Sequence, residues 1–451
     1  MKSHSIHVCR ECGTTSPRWV GRCPGCAAWN SLDEEVVAKT TSTTRSPHAT
    51  VSLHRVGDEN EARLSTGVGE LDRVLGGGLL AGSTTLLFGE PGVGKSTLAL
   101  MSLRALATAG QSVLLIGAEE SATQVAQRAR RLGAIPAGLE VATTTSVGAA
   151  VALIEERRPA LCVIDSVSAM SDEELGSVAG SVAQVRNAAE RLCGVAKETA
   201  TALVLVGHVT KDGELAGPRT LEHLVDTVVR IEGDRYGTLR VVRALKHRFG
   251  PTGEVGLLEM VSEGLRDLPE TALARHPGDD DVAGVVFTVT NDGSRSFLVE
   301  VQALVASSSG SPRRVAHQVS SQRLALMLAV LEARCDIDVS DLDVFAATAG
   351  GLAATEPAVD LALALAVASA AAGFAVARSM VAVGEVGLAG ELRAVSGLTR
   401  RVREARRLGA TRVVVPAAGE LEAVDGVEVT RCSTLAAAIE LARGGADEGP
   451  A

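Results

Sequence analysis

The chain has 451 residues, too many for one ordinary hydrophobic core, so about two or three domains are expected. Hydrophobic residues make up 46% of it but aromatic residues only 2%, which excludes cores built on large rings and base stacking as the main grip on nucleic acid. A formal net charge of -10 excludes a uniformly basic chain and leaves any anion-binding surface to local clusters.

In chain order, the first feature is a pair of Cys-x-x-Cys knuckles, Cys9 with Cys12 and Cys23 with Cys26. Thiolates at that spacing converge from two turns to complete a tetrahedral zinc site, and four of them leave no open position for catalysis. Residues 1–33 are therefore expected to be a zinc module, folded by a metal-binding free energy of about 10–16 kcal/mol. His4 and His7 are read as solvated, whereas Arg10, Arg18, Trp19 and Arg22 are what the module offers a partner. Cys162, Cys193, Cys335 and Cys432 are scattered, which does not suit a disulfide framework. Residues 34–60 are rich in Thr and Ser and poor in apolar surface, as a linker is.

From residue 61 to 266 short apolar runs alternate with helix-length stretches: Thr84–Phe88, Val113–Ile116, Leu161–Ile164 and Leu203–Val206. That alternation predicts an α/β domain with a mostly parallel sheet under helices. Between the first run and the helical segment Ser96–Ala107 stand Gly89, Glu90, Pro91, Gly92, Val93, Gly94, Lys95 and Ser96, followed by Thr97. A glycine-rich loop between strand and helix points its amide N–H groups at phosphates, so these nine residues are the expected ATP site. Lys95 is placed to reach the β- and γ-phosphates and Ser96 to ligate Mg²⁺.

Asp165 closes the run Leu161–Ile164, where a carboxylate holds Mg²⁺ or simply caps a helix. Glu119, just past Val113–Ile116, is the preferred residue for polarising the attacking water; Glu120 suits a helix start equally well. Two segments, Ser171–Arg186 and Lys211–Arg219, follow the third and fourth of these runs; the first starts mostly acidic and the second contains the cations Lys211 and Arg219. Lys246-His247-Arg248-Phe249-Gly250 puts two cations at a strand end, a solvated basic turn on chemistry alone.

Residues 267–281, with two prolines and the acids Asp279, Asp280 and Asp281, are read as a second linker. A third domain of mixed pattern follows over 282–443, with strand-like Val286–Val289 and Phe297–Val301, and residues 444–451 are read as a disordered tail. Leu361–Ala377 is the richest apolar stretch, but Gly373 interrupts it and it falls short of the roughly 20 residues a membrane span needs. With no secretory signal pattern either, a cytoplasmic protein with reduced thiols is expected, without membrane contact.

The four-Cys module, Gly-Glu-Pro-Gly-Val-Gly-Lys-Ser, Ala118-Glu119-Glu120-Ser121 and Lys246–Gly250, in that order, resemble the bacterial RadA (Sms) family over nearly the whole chain. The resemblance implies a RecA-like P-loop ATPase core with DNA-binding loops after its third and fourth strands, at Ser171–Arg186 and Lys211–Arg219 with Lys211 and Arg219 as contacts, and a hexameric ring. It further implies ATP-driven movement on single-stranded and branched DNA, helping RecA-mediated strand exchange by branch migration. That family's signature is Lys-Asn-Arg-Phe-Gly; here His247 replaces the Asn, so Lys246 and Arg248 carry over as catalytic and DNA-binding residues.

The third domain resembles the Lon protease domain, an α+β fold, most clearly at Gly384–Glu391. Lon proteases use a Ser–Lys dyad, and the corresponding positions here are Ala358 and Thr399, so an ATP-dependent protease is disfavoured. The expectation is a non-proteolytic assembly domain presenting a basic surface, with Arg393, Arg400, Arg401, Arg403, Arg406 and Arg407 as candidates. A regulatory RecA-like switch ATPase acting on protein partners is the alternative to the DNA motor.

Overall fold

Apolar residues that alternate along the expected strands supply two layers, because successive strand side chains point to opposite faces. The computed structural model describes residues 4–9, 14–37, 63–175, 178, 180–208, 219–233, 237–268, 281–308, 310–349 and 352–444. The chain divides into two units, Met1–Asp267 and Leu268–Ala451. Most of both expected linkers, residues 445–451 of the expected tail, Arg10, Cys12 and Lys211 lie outside the described residues, whereas Gly444 ends a helix.

At the amino end, strands β1 (His4–Cys9), β2 (Thr15–Ser16) and β3 (Leu32–Val37) form a small antiparallel sheet in the order β2-β1-β3. Among its described side chains Cys9, Cys23 and Leu32 are buried, with Val20 packed against them. A module of this length is too short to fold on a hydrophobic core alone without a crosslink or a metal.

The rest of the first unit is built on β4 (Thr84–Gly89), β5 (Val113–Gly117), β6 (Leu139–Thr143), β7 (Leu161–Asp165), β8 (Ala202–His208) and β9 (Thr227–Gly233), parallel in the order β9-β4-β8-β7-β5-β6. The four expected runs are β4, β5, β7 and β8, with ends extended by one or two residues. β6, half-buried at the sheet edge, carries too weak an apolar pattern to stand out. Beyond β9 the sheet continues antiparallel through β10 (Leu239–His247), β11 (Val255–Val261) and β12 (Gly264–Asp267).

Leu87, Val113, Leu115, Leu161 and Val163 pack on helices α1 (Gly69–Val74), α2 (Lys95–Thr108) and α3 (Ala122–Arg131). Leu86, Phe88, Leu114, Ile116, Cys162 and Ile164 face the other way, onto α4 (Val147–Arg157) and α5 (Val182–Thr199). Ser121, Ser146 and Ser181 start α3, α4 and α5 by accepting the N–H three residues on, which satisfies a donor the first helical turn would otherwise leave bare. A short helix, α6 (Arg219–Leu224), leads into β9.

In the second unit, the seven-stranded sheet runs β15-β16-β14-β13-β17-β20-β21 among the described residues. Its strands are β13 (Val285–Asp292), β14 (Arg295–Ser307), β15 (Arg314–His317), β16 (Leu342–Thr348), β17 (Met380–Ala382), β20 (Arg412–Pro416) and β21 (Glu428–Cys432); β18 (Glu385–Val386) and β19 (Leu392–Arg393) form a separate hairpin. Helices α7 (Ser321–Cys335), α8 (Asp360–Ala372), α9 (Leu398–Arg407) and α10 (Leu435–Gly444) complete it. The Ala-rich α8 is the most apolar stretch of the sequence; it is a core helix, buried from Asp360 through Ser369. Among the described residues no helix is long and apolar enough to cross a membrane.

Of the six arginines expected on a basic surface, Arg393, Arg400, Arg403, Arg406 and Arg407 are exposed, and the structure corrects one, Arg401. Arg401 is fully buried: its guanidinium donates to both carboxylate oxygens of Glu356 at 2.7 Å and to the carbonyls of Val289 and Ser396. Arg393 pairs with Glu391, Arg403 with Glu422 and Arg407 with Glu404, while Arg400 donates to the Ser294 carbonyl. Glu391, Glu422 and Glu404 thus offset part of the positive field that the arginine count suggested.

Burial pushes the Glu356 carboxyl pKa up, but the Arg401 guanidinium, the Asn291 N–H and the Thr290 hydroxyl together hold it below the ordinary value. A depressed carboxylate stabilises the fold above its unfolded pKa, and that contribution is lost as pH falls through the lower folded value. Replacing Glu356 by Ala strands a buried guanidinium, so a loss of about 3–5 kcal/mol is expected in denaturant unfolding at neutral pH. The difference from the parent protein should shrink in acid.

Candidate nucleotide site and zinc site

β4 occupies the middle of the sheet, and at its carboxyl end the chain wraps back on itself through residues 89–94 before α2 begins. Two glycines make the wrap possible. A β-carbon on Gly89 would stand 2.2 Å from the Ile231 carbonyl oxygen of β9. Gly94, the residue before α2, has φ of 112° and leaves a Cβ only 2.7 Å from Met260.

Lys95 is 4% exposed, and its ammonium donates to the carbonyls of Gly89 and Glu90 at 2.8 and 2.9 Å. Burial lowers its pKa from the ordinary lysine value, with Asp165 and Glu119 pulling the other way. Ser96 and Thr97 are half-buried at the start of α2, and Glu90, Pro91 and Gly92 are exposed. The loop's amides and the helix start thus form an anion-binding end with a cation inside it.

Two carboxylates converge beside that loop. β5 and β7 are neighbours, with Gly117 opposite Asp165, and the Ala118 N–H donates to the Asp165 carbonyl at 2.8 Å. Glu119 is exposed, and the Ser166 hydroxyl, one residue past Asp165, donates to it at 2.5 Å. Glu119 is therefore aimed by a hydroxyl, while Glu120 turns to Arg128, at 3.0 Å. Arg128 also approaches Asp165 at 3.5 Å. The structure separates the two glutamates that the sequence left ambiguous: Glu119 faces the serine beside Asp165, and Glu120 is spent in an ion pair.

Residues 89–97, Asp165 and Glu119 come together at the carboxyl ends of β4, β7 and β5; several residues that support them do not announce themselves in the sequence. Arg128 lies two turns into α3, eight residues from Glu120 and so outside the three- and four-residue spacings at which a helical ion pair is read from sequence. Arg240 is no more visible. It starts the antiparallel half of the sheet, is 7% exposed, and its Nε donates to the Val93 carbonyl of the loop at 3.0 Å. Beyond Asp165, Asp172 is buried and accepts from Arg191 and from Asn187, which moors the segment after β7 to α5.

Lys246 and Arg248 do not join this group within one chain. His247 pairs with Thr227 and Thr227 with Thr85, whereas the loop begins at Gly89, about 13 Å further along β4. Lys246 donates to the Glu222 and Val225 carbonyls at 2.7 and 2.8 Å, closing the carboxyl end of α6. Arg248 pairs with the buried Asp226 at 2.8 Å, and Asp226 also accepts from the backbone N–H and hydroxyl of Thr84. The substituted His247 is buried, bonds the Thr227 hydroxyl at 3.0 Å, and has its pKa lowered by burial, with Arg63 acting in the same direction. Arg219 opens α6.

At the amino end, single ligand atoms of Cys9, Cys23 and Cys26 all lie within 4.8 Å of one another, and the Cys9 and Cys26 sulfurs are 3.7 Å apart. Zinc with Zn–S bonds of about 2.3 Å in tetrahedral geometry separates sulfurs by about 3.8 Å, so the sulfurs described fit that ion. Cys12, outside the described residues, is the expected fourth ligand. The Gly25 N–H donates to the Cys23 sulfur at 3.3 Å, as knuckle amides do to metal-bound thiolates.

Three family profiles match successive parts of the chain. Residues 7–34 match a profile described as rubredoxin metal binding domain, residues 54–214 one described as AAA domain, and residues 319–419 one described as subunit ChlI of Mg-chelatase. Proteins named DNA repair protein RadA are similar over almost the full length. That of Mycolicibacterium smegmatis is 42% identical, covering 98% of this chain and 97% of its own. That of Bacillus subtilis is 39% identical over 98% and 100%, and that of Pseudomonas aeruginosa is 43% identical over 97% and 99%.

Glu119→Gln keeps the side chain's shape and removes the carboxylate that accepts from Ser166. Nucleotide binding, followed with a fluorescent ADP, should stay within about twofold of the parent while ATP turnover falls by about 10²–10⁴. Equal loss of binding and turnover would assign Glu119 to nucleotide binding instead.

Proposed function

The chain belongs to the RadA family of DNA repair proteins, and from that membership and the site above we propose a DNA-dependent ATPase of recombinational repair. It moves on single-stranded DNA and promotes branch migration with RecA as partner. The observation that carries this reading is the hydrogen bond from Ser166 to Glu119, because Ser166 joins the catalytic carboxylates directly to the segment after β7.

In this reading residues 89–94 wrap the phosphates with backbone N–H groups, and Val93 keeps its place through Arg240. Lys95 exchanges the carbonyls of Gly89 and Glu90 for β- and γ-phosphate oxygens. Ser96 and Asp165 hold Mg²⁺, which neutralises charge on those oxygens when bound. Glu119 accepts a proton from the attacking water, and its release from Ser166 is passed to the segment that Asp172 moors on α5.

Lys246 and Arg248 reach phosphates only from outside their own chain's loop, either on a neighbouring subunit's nucleotide or on DNA. A homo-oligomeric ring, hexameric by resemblance, supplies the first arrangement, with Lys211 and Arg219 as further DNA contacts. Cys9, Cys12, Cys23 and Cys26 hold structural zinc. The Lon-like unit assembles subunits without cleaving peptides, since Ala358 and Thr399 provide neither nucleophile nor base. The protein works in the cytoplasm, where DNA and RecA are.

Steady-state ATP hydrolysis by the parent and by Lys95→Ala, with and without single-stranded DNA at two salt concentrations, tests the motor. DNA should stimulate turnover several-fold at low salt, less at high salt, and not at all in Lys95→Ala. Turnover indifferent to DNA at both salts would move the protein to the switch ATPases that act on protein partners.

A further inference from the structure

The chain contains two tryptophans, and both lie in the amino-terminal metal module. Neither is used to build its core: Trp19 is 54% exposed and Trp29 is 72% exposed. Large rings left in water are uneconomical for so small a fold, which would gain most from burying them. The two rings also share a place. A methyl group on Gly21 would stand 3.8 Å from both Trp19 Cη2 and Trp29 Cζ3, so the indoles flank one glycine that keeps the gap between them open.

Cations stand beside the rings. Arg22 forms a bridge across from Trp29, its guanidinium 5.9 Å from the Trp29 ring and its Nε bonded to the Ala27 carbonyl at 3.0 Å. Arg18 is exposed next to Trp19. Residues 14–32 contain these two arginines and no Asp or Glu. Exposed π-faces with guanidinium groups alongside match an extended polyanion that carries planar rings, whereas an acidic peptide would use the arginines and leave the indoles wet.

We propose that Trp19 and Trp29, with Arg18 and Arg22, form a second single-stranded DNA contact on the metal module, adjacent bases stacking on the indoles while the arginines meet phosphates. The inference rests on the DNA reading above and adds to it a site outside the ATPase domain. It does not replace the backbone grip of a basic channel; two rings engage about one base each.

The test uses the full-length protein loaded with zinc and a fluorescein-labelled oligo(dT). Because both tryptophans are in the module, indole emission, excited on its red edge where the single tyrosine is silent, reports on that surface and on nothing else. Binding seen by fluorescein anisotropy should be matched, at the same midpoint, by quenching of indole emission from unlabelled oligo(dT). Trp29→Ala should weaken binding about tenfold with zinc content unchanged, and Trp29→Phe should restore most of it.

Anisotropy that rises while indole emission stays constant, with Trp19→Ala and Trp29→Ala binding like the parent, would overturn the proposal, leave the DNA reading intact and give the surface to a protein partner. Absence of any anisotropy change at low salt would overturn the DNA reading and this inference with it.

Discussion

A lysine ammonium cannot be buried without oxygens around it, and residues 89–94 are folded to supply them. Lys95 sits inside a turn of its own backbone, bonded to the Gly89 and Glu90 carbonyls, with Asp165 and Glu119 adding to the negative field. The cost of desolvating a charge is met by fixed dipoles that are already in place before a phosphate arrives. Everything that fixes those dipoles matters: the glycine whose absent side chain lets β4 lie against Ile231, and the buried guanidinium of Arg240 on the Val93 carbonyl.

The same strand is held at its other end by a different buried charge. Asp226 accepts from both the N–H and the hydroxyl of Thr84, the first residue of β4, and from Arg248. The basic turn 246–250 is therefore attached to the foot of the strand whose head carries the nucleotide loop. Lys246 extends the attachment to α6, whose carboxyl end it closes. Any phosphate that draws Lys246 or Arg248 away must leave either open helix carbonyls or an unpaired buried carboxylate behind, and that penalty links the turn to β4 and α6.

The second unit uses charge in the opposite sense, as internal cement. Arg401 and Glu356 join α9 to the segment before α8 and to β13, and Arg323 and Asp360 join the start of α7 to that of α8 at 2.5–2.6 Å. Both pairs involve a residue with almost no exposure, so removing one partner leaves a charge that water cannot reach. Alanine along α8 completes the arrangement, since small side chains let a helix buried on nearly every face lie close to its neighbours.

The sequence by itself determined what local chemistry can encode. Apolar runs of strand length named β4, β5, β7 and β8, a glycine-rich stretch between strand and helix named the phosphate loop, and cysteine spacing named the metal module, because each of these signals lies within a few consecutive residues. Asp165 and Glu119 were legible for the same reason, as acids at strand ends. What only the tertiary structure decided were pairings between distant residues: Arg240 with Val93, Asp226 with Thr84, and Arg401 with Glu356. An arginine reads as surface charge until the fold supplies a carboxylate or carbonyl from elsewhere, which is why Arg401 was counted with a basic face and is instead buried. Nor could spacing reveal that the turn 246–250, after β10, and the nucleotide loop, after β4, stand at opposite ends of the sheet's strands with β9 between them, since that placement is set by strand pairing and register and not by order in the chain.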